Sequence, residues 1–195
     1  MKEQEFDLEF YKNVRSFLVF VMKFAFRPEV IGIQNIKNEM GVILAGNHIS
    51  MLDIPLLISV VNDDVHFMAK NELFENKLGN YIFSKMGSFP INRNEVDLKS
   101  IKTALRLLKE ENILGIFPEG TRNKTNAIIL PFREGATRLA IRSKKPIIPF
   151  GISGKYRIGG GITIRFGEAI DFNQLSVENH NEYLETKVKE LIYKN

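Results

Sequence analysis

Residues 41 to 53 read Gly41-Val-Ile-Leu-Ala-Gly-Asn-His-Ile-Ser-Met-Leu-Asp53, and the interpretation of the rest of the chain depends on them. The apolar run from Val42 to Ala45 is typical of a buried parallel strand. In α/β folds the carboxyl ends of such strands face the crevice where ligands bind. His48 follows the strand at that end, so the sequence predicts a functional turn at this point.

The spacing of His48 and Asp53 predicts a pair only if the histidine lies in a loop. On one continuous helix, residues five apart point about 140° away from each other. We expect the helix to begin at Ser50 or Asp53, both good N-cap residues, and Pro55 favours the later start. His48 would then precede the helix, where the Asp53 carboxylate can fix its tautomer as in a catalytic triad. The alternative is that Asp53 only caps the helix.

Composition limits the class of protein. The 195 residues are 44% hydrophobic and 26% charged, which is ordinary for one globular domain with a sizeable core. With no cysteine there is no disulfide, no thiolate nucleophile and no zinc-cysteine site. A net charge of +4 suits an anionic membrane surface or a phosphorylated ligand. We see no basic stripe, so we expect no nucleic-acid partner.

The segment from Phe6 to Phe26 is dense in large apolar residues at helical spacing. These residues include Phe10, Tyr11, Val14, Phe17, Leu18, Val21 and Met22. Lys23 interrupts the apolar run, which matches neither a signal peptide nor a spanning helix of about 20 residues. Two interpretations stay open: a helix lying in the membrane interface, or an amphipathic helix that closes the sheet. We favour the first, and divide the chain into a membrane-associating helix, 1–27, and a folded domain, 28–195.

Strand and helix patterns alternate along the remaining chain, which is typical of an α/β sheet covered on both faces. We therefore predict an α/β single domain with a mostly parallel mixed sheet flanked by helices. The predicted strands after the first are Val65–Ala69, Ser88–Arg93, Ile113–Phe117, Pro146–Gly151 and Ile162–Phe166. The predicted helices are Ile54–Val61, Glu72–Lys85, a helix capped by Asp97 with Leu98, Ile101, Leu105 and Leu108 in the core, Phe132–Ser143 and one from Ser176 onward. The glycine-rich stretch 151–161 is expected to be a mobile loop.

Polar side chains follow several of these strands at the predicted carboxyl edge. They are His48, Asp53, Lys70, Arg93, Glu119 and Arg122. Three cations at one edge predict an anionic ligand, since guanidinium groups bind phosphate oxygens in pairs and Gly120 would let main-chain N–H groups approach. Glu119 is a poor phosphate ligand, but it could hold an arginine or accept from a substrate hydroxyl. The alternative for any single arginine is a surface salt bridge.

Four blocks in this order resemble the PlsC-like glycerolipid acyltransferases. The blocks are Asn47-His48 with Asp53, Gly87-Ser-Phe-Pro-Ile-Asn-Arg93, Phe117-Pro-Glu-Gly-Thr-Arg122 and Ile148-Pro-Phe150. The first and third are the specific ones, and the resemblance extends over roughly residues 28 to 170. One departure is Arg133-Glu134, where relatives often have a more basic run. The resemblance implies a glycerol-3-phosphate acyltransferase-like fold.

The resemblance also implies a reaction and its residues. His48 and Asp53 would be the catalytic pair, and the residues expected to bind the acceptor are Lys70, Arg93, Glu119, Gly120, Thr121 and Arg122. A fatty acyl group would pass directly from an acyl carrier protein or coenzyme A thioester to 1-acylglycerol 3-phosphate (lysophosphatidic acid), giving phosphatidic acid. No cofactor or metal is expected beyond the thioester co-substrate. The enzyme would sit on the cytoplasmic face of the cell membrane, as a peripheral or monotopic protein.

Other functions stay open. The acceptor could be another lysophospholipid or a lyso-aminolipid. A metal-dependent phosphohydrolase would use His48, Asp53 and Glu119 as ligands, although the neighbouring cations would repel a divalent metal. A non-catalytic lipid-binding module anchored by the first helix is the remaining alternative, and the intact histidine–aspartate pair argues against it.

Overall fold

The computed structural model describes residues 6–36, 41–92 and 97–194, which contain one seven-stranded sheet. The strands are β1 (Glu29–Ile31), β2 (Ile43–Gly46), β3 (Val65–Lys70), β4 (Phe89–Ile91), β5 (Ile113–Ile116), β6 (Ile147–Gly154) and β7 (Ile162–Phe166). The α-helices are α1 (Leu8–Val21), α2 (Asp53–Val60), α3 (Lys77–Lys85), α4 (Leu98–Lys109), α5 (Gly135–Ser143) and α6 (His180–Tyr193). Short helical turns lie at Met22–Phe26, Ile33–Asn35 and Asn71–Phe74.

The strand order is β1-β7-β6-β2-β5-β3-β4. Five neighbouring strands, from β6 to β4, are parallel, whereas β7 is antiparallel to β6 and β1 is parallel to β7. The predicted α/β class with a mostly parallel mixed sheet is therefore confirmed. The carboxyl ends of the five parallel strands share one edge, and we call this the catalytic edge.

The two faces of the sheet hold separate cores because side chains alternate along each strand. In β2 and the residue before it, Val42 and Leu44 enter the core beneath α1 and α2. Ile43 and Ala45 enter the opposite core, beneath α4, α5 and α6. Burial on both faces explains why these central strands are continuously apolar in sequence.

The helix α1 closes the first face of the sheet. Tyr11 is fully buried, and its hydroxyl accepts the Val65 N–H at 2.9 Å. Lys85 pairs with Asp7 at 2.8 Å, and Arg15 donates to the Val61 carbonyl. The described part of the segment 1–27, from residue 6 onward, thus contributes to the main core, and the separation of this segment as a membrane-associating unit stays a prediction.

Exposed phenylalanines lie on the last turns of α1 and on the helical turn Met22–Phe26 that follows it. The exposed fractions of Phe17, Phe20 and Phe24 are 65%, 60% and 59%. The rings of Phe20 and Phe24 contact each other, with centroids 4.7 Å apart. Among the described residues, no helix combines the length and apolarity needed to cross a membrane. The helix therefore has one face packed on the sheet, and its end and the turn after it expose a cluster of phenylalanine rings.

Several predicted element boundaries were wrong. The helix expected from Phe132 begins at Gly135, with Glu134 at the N-cap position. The helix expected from Glu72 begins at Lys77, because the Asn76 side chain caps it by accepting the Gly79 N–H. The last helix begins at His180 rather than Ser176, because Asn179 caps its first turn. The strand after Pro146 runs to Gly154, so the glycine-rich loop is shorter than expected.

The predicted core face of α4 was partly wrong. Leu98 is 62% exposed, whereas Ser100, Ala104 and Leu108 are buried. Residue 98 lies about 160° around the helix from residue 100, so it points away from the centre of the buried stripe. The Ser100 hydroxyl donates to the Pro90 carbonyl at 2.6 Å, which makes a small polar residue the contact with β4.

Candidate active site

His48 and Asp53 lie together at the catalytic edge, after β2. The helix α2 begins at Asp53, the later of the two expected starts, and Leu52 occupies the N-cap position. The His48 Nδ1 atom is 2.7 Å from Asp53 Oδ2. The same oxygen accepts the N–H groups of Ile49 and Ser50 at 2.7 and 2.8 Å. Asp53 therefore folds back onto the loop that carries His48 and does not act as a simple helix cap.

This pairing decides the tautomer of His48. A carboxylate is an acceptor only, so the hydrogen lies on Nδ1. The other ring nitrogen, Nε2, then carries the lone pair that can accept a proton. The ring is also fixed by stacking on Phe117, with centroids 4.1 Å apart and planes at 21°. His48 thus has the orientation that a general base requires.

Tyr156 is a site residue that the sequence did not reveal. Its hydroxyl donates to Asp53 Oδ1 at 2.8 Å, from the loop after β6. Burial, and next the nearby charge of Asp53, raise the pKa of Tyr156, so the hydroxyl keeps its proton. The only sequence signal is that Tyr156 closely follows a predicted strand, and a strand neighbouring β2 brings its loop to the same edge.

Glu119 supports the main chain of the histidine. It is 4% exposed, and its two oxygens accept the N–H groups of His48 at 2.6 Å and Leu130 at 2.8 Å. The Asn123 N–H donates to the His48 carbonyl at 2.7 Å. Burial raises the pKa of Glu119, and the two backbone hydrogen bonds oppose that effect. Its predicted role in binding the acceptor stays a prediction.

Gly120, Thr121 and Arg122 form the turn that follows Glu119. Gly120 has φ +70°, a left-handed conformation that favours glycine, and the Arg133 side chain lies beside it. Thr121 and Arg122 are exposed beside the anchored loop of His48. Arg133, part of the departure from the more basic run of the relatives, adds a cation next to this turn.

Lys70 lies at the carboxyl end of β3, where it is exposed. Because neighbouring strands are about 4.8 Å apart and β5 separates β2 from β3, it stands about 10 Å along the edge from β2. Ile91, which ends β4, is its register partner. Arg93 lies outside the described residues. The structure thus places His48, Lys70 and the turn that carries Arg122 on one edge, and their binding roles stay predictions.

Both carboxylates of this site, Asp53 and Glu119, already accept hydrogen bonds from the protein itself. Asp53 faces four donors, and both oxygens of Glu119 face backbone N–H groups. In the part of the chain that the structure describes, no three histidine or acidic side chains are grouped so that they could hold a metal ion. The chemistry that this arrangement offers is proton transfer through His48 Nε2.

Comparison with known proteins agrees with this chemistry. Residues 27–153 match the family model described as Acyltransferase. The chain is 32% identical over 145 residues to the 1-acyl-sn-glycerol-3-phosphate acyltransferase of Bacillus subtilis, which covers 74% of this chain and 71% of that protein. It is 31% identical to the beta form of that enzyme from Homo sapiens, over 84% of this chain and 62% of the human protein.

A solved structure is also similar. The 1-acyl-sn-glycerophosphate acyltransferase PlsC from Thermotoga maritima matches with a TM-score of 0.72 and 25% identity, over 92% of this chain and 77% of that one. These similarities and the pairing of His48 with Asp53 agree on one class of protein, the enzymes that transfer acyl groups. The chain belongs to the PlsC-like acyltransferase family, so the family and the enzyme class predicted from the sequence are confirmed.

The first prediction tests the support that Glu119 gives to His48. The change Glu119→Gln keeps the size of the side chain but leaves only one acceptor for two backbone N–H groups. An unsatisfied buried donor costs about 1–3 kcal/mol. We expect a Tm at least ~2 °C lower and a lower kcat in an acyl-transfer assay. The matched control is Glu110→Gln, at the exposed C-cap of α4, which should keep the wild-type Tm and kcat. An unchanged Tm and kcat in Glu119→Gln would contradict the role assigned to Glu119.

Proposed function

We propose that this enzyme transfers a fatty acyl group from an acyl carrier protein or coenzyme A thioester to the free hydroxyl of 1-acylglycerol 3-phosphate, giving phosphatidic acid. The observation that carries the proposal is the 2.7 Å contact between His48 Nδ1 and Asp53 Oδ2. It leaves Nε2 as the base at an exposed edge. The acceptor is inferred from the activity for which the relatives are named, and the donor from the chemistry of activated acyl groups.

The reaction needs one base and no covalent enzyme intermediate. His48 Nε2 removes the proton from the acceptor hydroxyl, and the alkoxide oxygen attacks the thioester carbonyl. The tetrahedral intermediate collapses, the carbon–sulfur bond breaks, and the thiolate leaves and takes a proton from the imidazolium. Asp53 stabilises the imidazolium between these steps. The chain has no cysteine to carry the acyl group, which supports direct transfer.

The direct test uses purified protein and radiolabelled lysophosphatidic acid, with acyl carrier protein and coenzyme A thioesters compared side by side. We expect labelled phosphatidic acid from at least one of the two donors. Other lysophospholipids and a lyso-aminolipid are run as competing acceptors. If one of them is acylated with a higher kcat/KM, the proposed acceptor is wrong although the enzyme class stands.

The second prediction concerns the catalytic pair. His48→Ala should lower kcat by about 10²- to 10⁴-fold, since that is the usual cost of losing a general base. Asp53→Asn should have a smaller effect, because the base itself is retained. Rates are measured together with Tm and acceptor binding, which should change little in His48→Ala.

The matched control is His180→Ala, which removes a histidine from the first turn of α6 and should retain its rate. A His48→Ala protein with more than a tenth of the wild-type rate would refute the assignment. Activity that disappears on chelation with EDTA would refute it as well, because the proposed mechanism uses no metal.

We also propose that the acceptor phosphate is selected by the cations of the catalytic edge. Arg122 immediately precedes Asn123, whose N–H donates to the His48 carbonyl, so the turn that carries the arginine is bonded to the loop that carries the base. Its exposure leaves the guanidinium accessible to a ligand. Lys70 extends the positive charge along the edge. Two N–H groups of one guanidinium match two phosphate oxygens.

The third prediction follows from that geometry. Arg122→Ala should raise the KM for lysophosphatidic acid by roughly 10- to 150-fold, the range for a hydrogen bond to a charged group. The KM for the thioester should change little. Arg122→Lys should recover only part of the loss, because lysine keeps the charge without the planar fork.

The control is Arg106→Ala, at the exposed end of α4, which should change neither constant. If Arg122 instead binds the phosphate of the acyl donor, the thioester KM rises and the acceptor KM is steady. Equal acylation of a neutral monoacylglycerol by the wild-type enzyme would refute selection by phosphate. Arg93→Ala can be measured in parallel, as a test of the sequence-based prediction for that residue.

We propose further that the end of α1 and the helical turn Met22–Phe26 rest on the membrane surface. The exposed phenylalanines of this segment, Phe17, Phe20 and Phe24, are spaced by three and four residues. Large exposed apolar surfaces of this kind mark contact with a membrane or a partner. Lys23 and Arg27 at the end of the segment add positive charge suited to anionic headgroups.

The fourth prediction tests this surface. Replacing Phe17, Phe20 and Phe24 with serine should weaken sedimentation with anionic liposomes strongly, since each large apolar side chain contributes roughly 1.5–3 kcal/mol when it leaves water. The Tm should fall little because these rings are already exposed. Leu98→Ser with Tyr193→Ser, both on exposed helix ends, is the control. Unchanged liposome binding would refute the membrane surface.

A further inference from the structure

The loop after β6 delivers one hydroxyl to the buried carboxylate of the catalytic pair. Asp53 is fully buried, and three donors surround its Oδ2 atom. Its Oδ1 atom receives the Tyr156 hydroxyl at 2.8 Å. The donors to Oδ2 thus come from the loop after β2, whereas the donor to Oδ1 comes from the loop after the neighbouring strand β6. Rotation of the carboxylate about its Cβ–Cγ bond would break both sets of bonds together.

The loop that carries Tyr156 is itself fixed at its base and at its tip. At the base, the Lys155 N–H donates to the Gly161 carbonyl at 2.8 Å. Gly154 has φ +92°, and a Cβ there would lie 2.1 Å from the Gly161 oxygen, so the closure requires glycine. At the tip, the Gly159 N–H donates to the Ala25 carbonyl at 2.7 Å. The tyrosine is therefore presented by a closed loop.

The Tyr156 ring also packs against the helical turn Met22–Phe26 that follows α1. The Phe26 ring meets it edge to face, with centroids 5.8 Å apart. Burial keeps the Tyr156 hydroxyl protonated, so it is a permanent donor across the working pH range. The donor, the loop and the packing together fix the plane of the Asp53 carboxylate, and through it the ring of His48.

We propose that Tyr156 is a positioning residue, which holds Asp53 in the plane that orients the His48 base for acyl transfer. The proposal rests on the proposed roles of His48 and Asp53. It predicts that Tyr156 contributes to the rate of the chemical step and not to the binding of either substrate, because it touches Asp53 and not the open edge.

The fifth prediction is the effect of Tyr156→Phe, which removes the hydroxyl and keeps the ring. We expect kcat to fall by about 10-fold, the low end of the range for a hydrogen bond to a charged group. Both KM values should stay within about twofold of wild type. Tyr193→Phe, at the exposed end of α6, is the matched control and should keep the wild-type kcat.

A double-mutant cycle separates positioning from a general loss of structure. If Tyr156 acts through the carboxylate, Tyr156→Phe should change kcat less than about twofold when Asp53→Asn is already present. The same 10-fold loss in both backgrounds would overturn the proposal. So would an unchanged kcat in the single variant, or a rise in the substrate KM values with kcat steady.

A spectroscopic signal covers the case in which Tyr156→Phe is less stable. The proton between His48 Nδ1 and Asp53 should give a downfield ¹H NMR resonance in the wild-type protein, and Tyr156→Phe should shift or broaden it. An unchanged resonance would overturn the proposal. Failure of the proposed function is seen separately, because the wild-type protein would then form no labelled phosphatidic acid. Failure of the assigned base is also distinct, because His48→Ala would then keep the wild-type rate.

Discussion

The orientation of the catalytic base depends on the buried carboxylate of Asp53. Removing a carboxylate from water is expensive unless the protein supplies hydrogen bonds in its place. Asp53 obtains them from two main-chain N–H groups, an imidazole and a phenol. The turn after β2 supplies three of the four, and the fourth comes from the loop after β6. The fold must therefore bring the ends of these two strands together, and it does so by pairing β2 and β6 directly in parallel.

A second buried carboxylate, that of Glu119, also holds His48 in place. Asp53 holds the imidazole of His48, whereas Glu119 holds its main-chain N–H from the turn after β5. Since β2 lies between β6 and β5, the histidine loop is supported from the strands on both sides. The stacking of Phe117 adds a contact from the β5 side. General-base catalysis needs one fixed orientation of one ring, and the parallel sheet supplies it from three consecutive strand ends.

The sequence predicted what is local and missed what depends on strand order. The strand before Gly46, the loop at His48 and the return of Asp53 follow from apolar runs, helix-start signals and spacing within thirteen consecutive residues. Tyr156 is 103 positions from Asp53 in sequence, and only the adjacency of β2 and β6 brings them together. The sequence did not predict the orientation of Glu119 either. A carboxylate beside several cations suggests an ion pair, and only the structure shows that its partners are main-chain N–H groups. Nothing local to Leu98 shows that the buried stripe of α4 is rotated away from it.

The path of α1 connects the proposed membrane surface to the catalytic pair. At the start of the helix, the Asp7 N–H donates to the Lys85 carbonyl, which lies shortly before β4 in the chain. The turn that follows α1 ends where the Ala25 carbonyl accepts from Gly159, in the loop that carries Tyr156. The helix and this turn therefore cross the sheet toward the catalytic edge, with Phe20 and Phe24 exposed close to their end. Because the same loop bonds to Ala25 and to Asp53, the end of the proposed membrane surface and the carboxylate that orients the base are held by one short segment of chain.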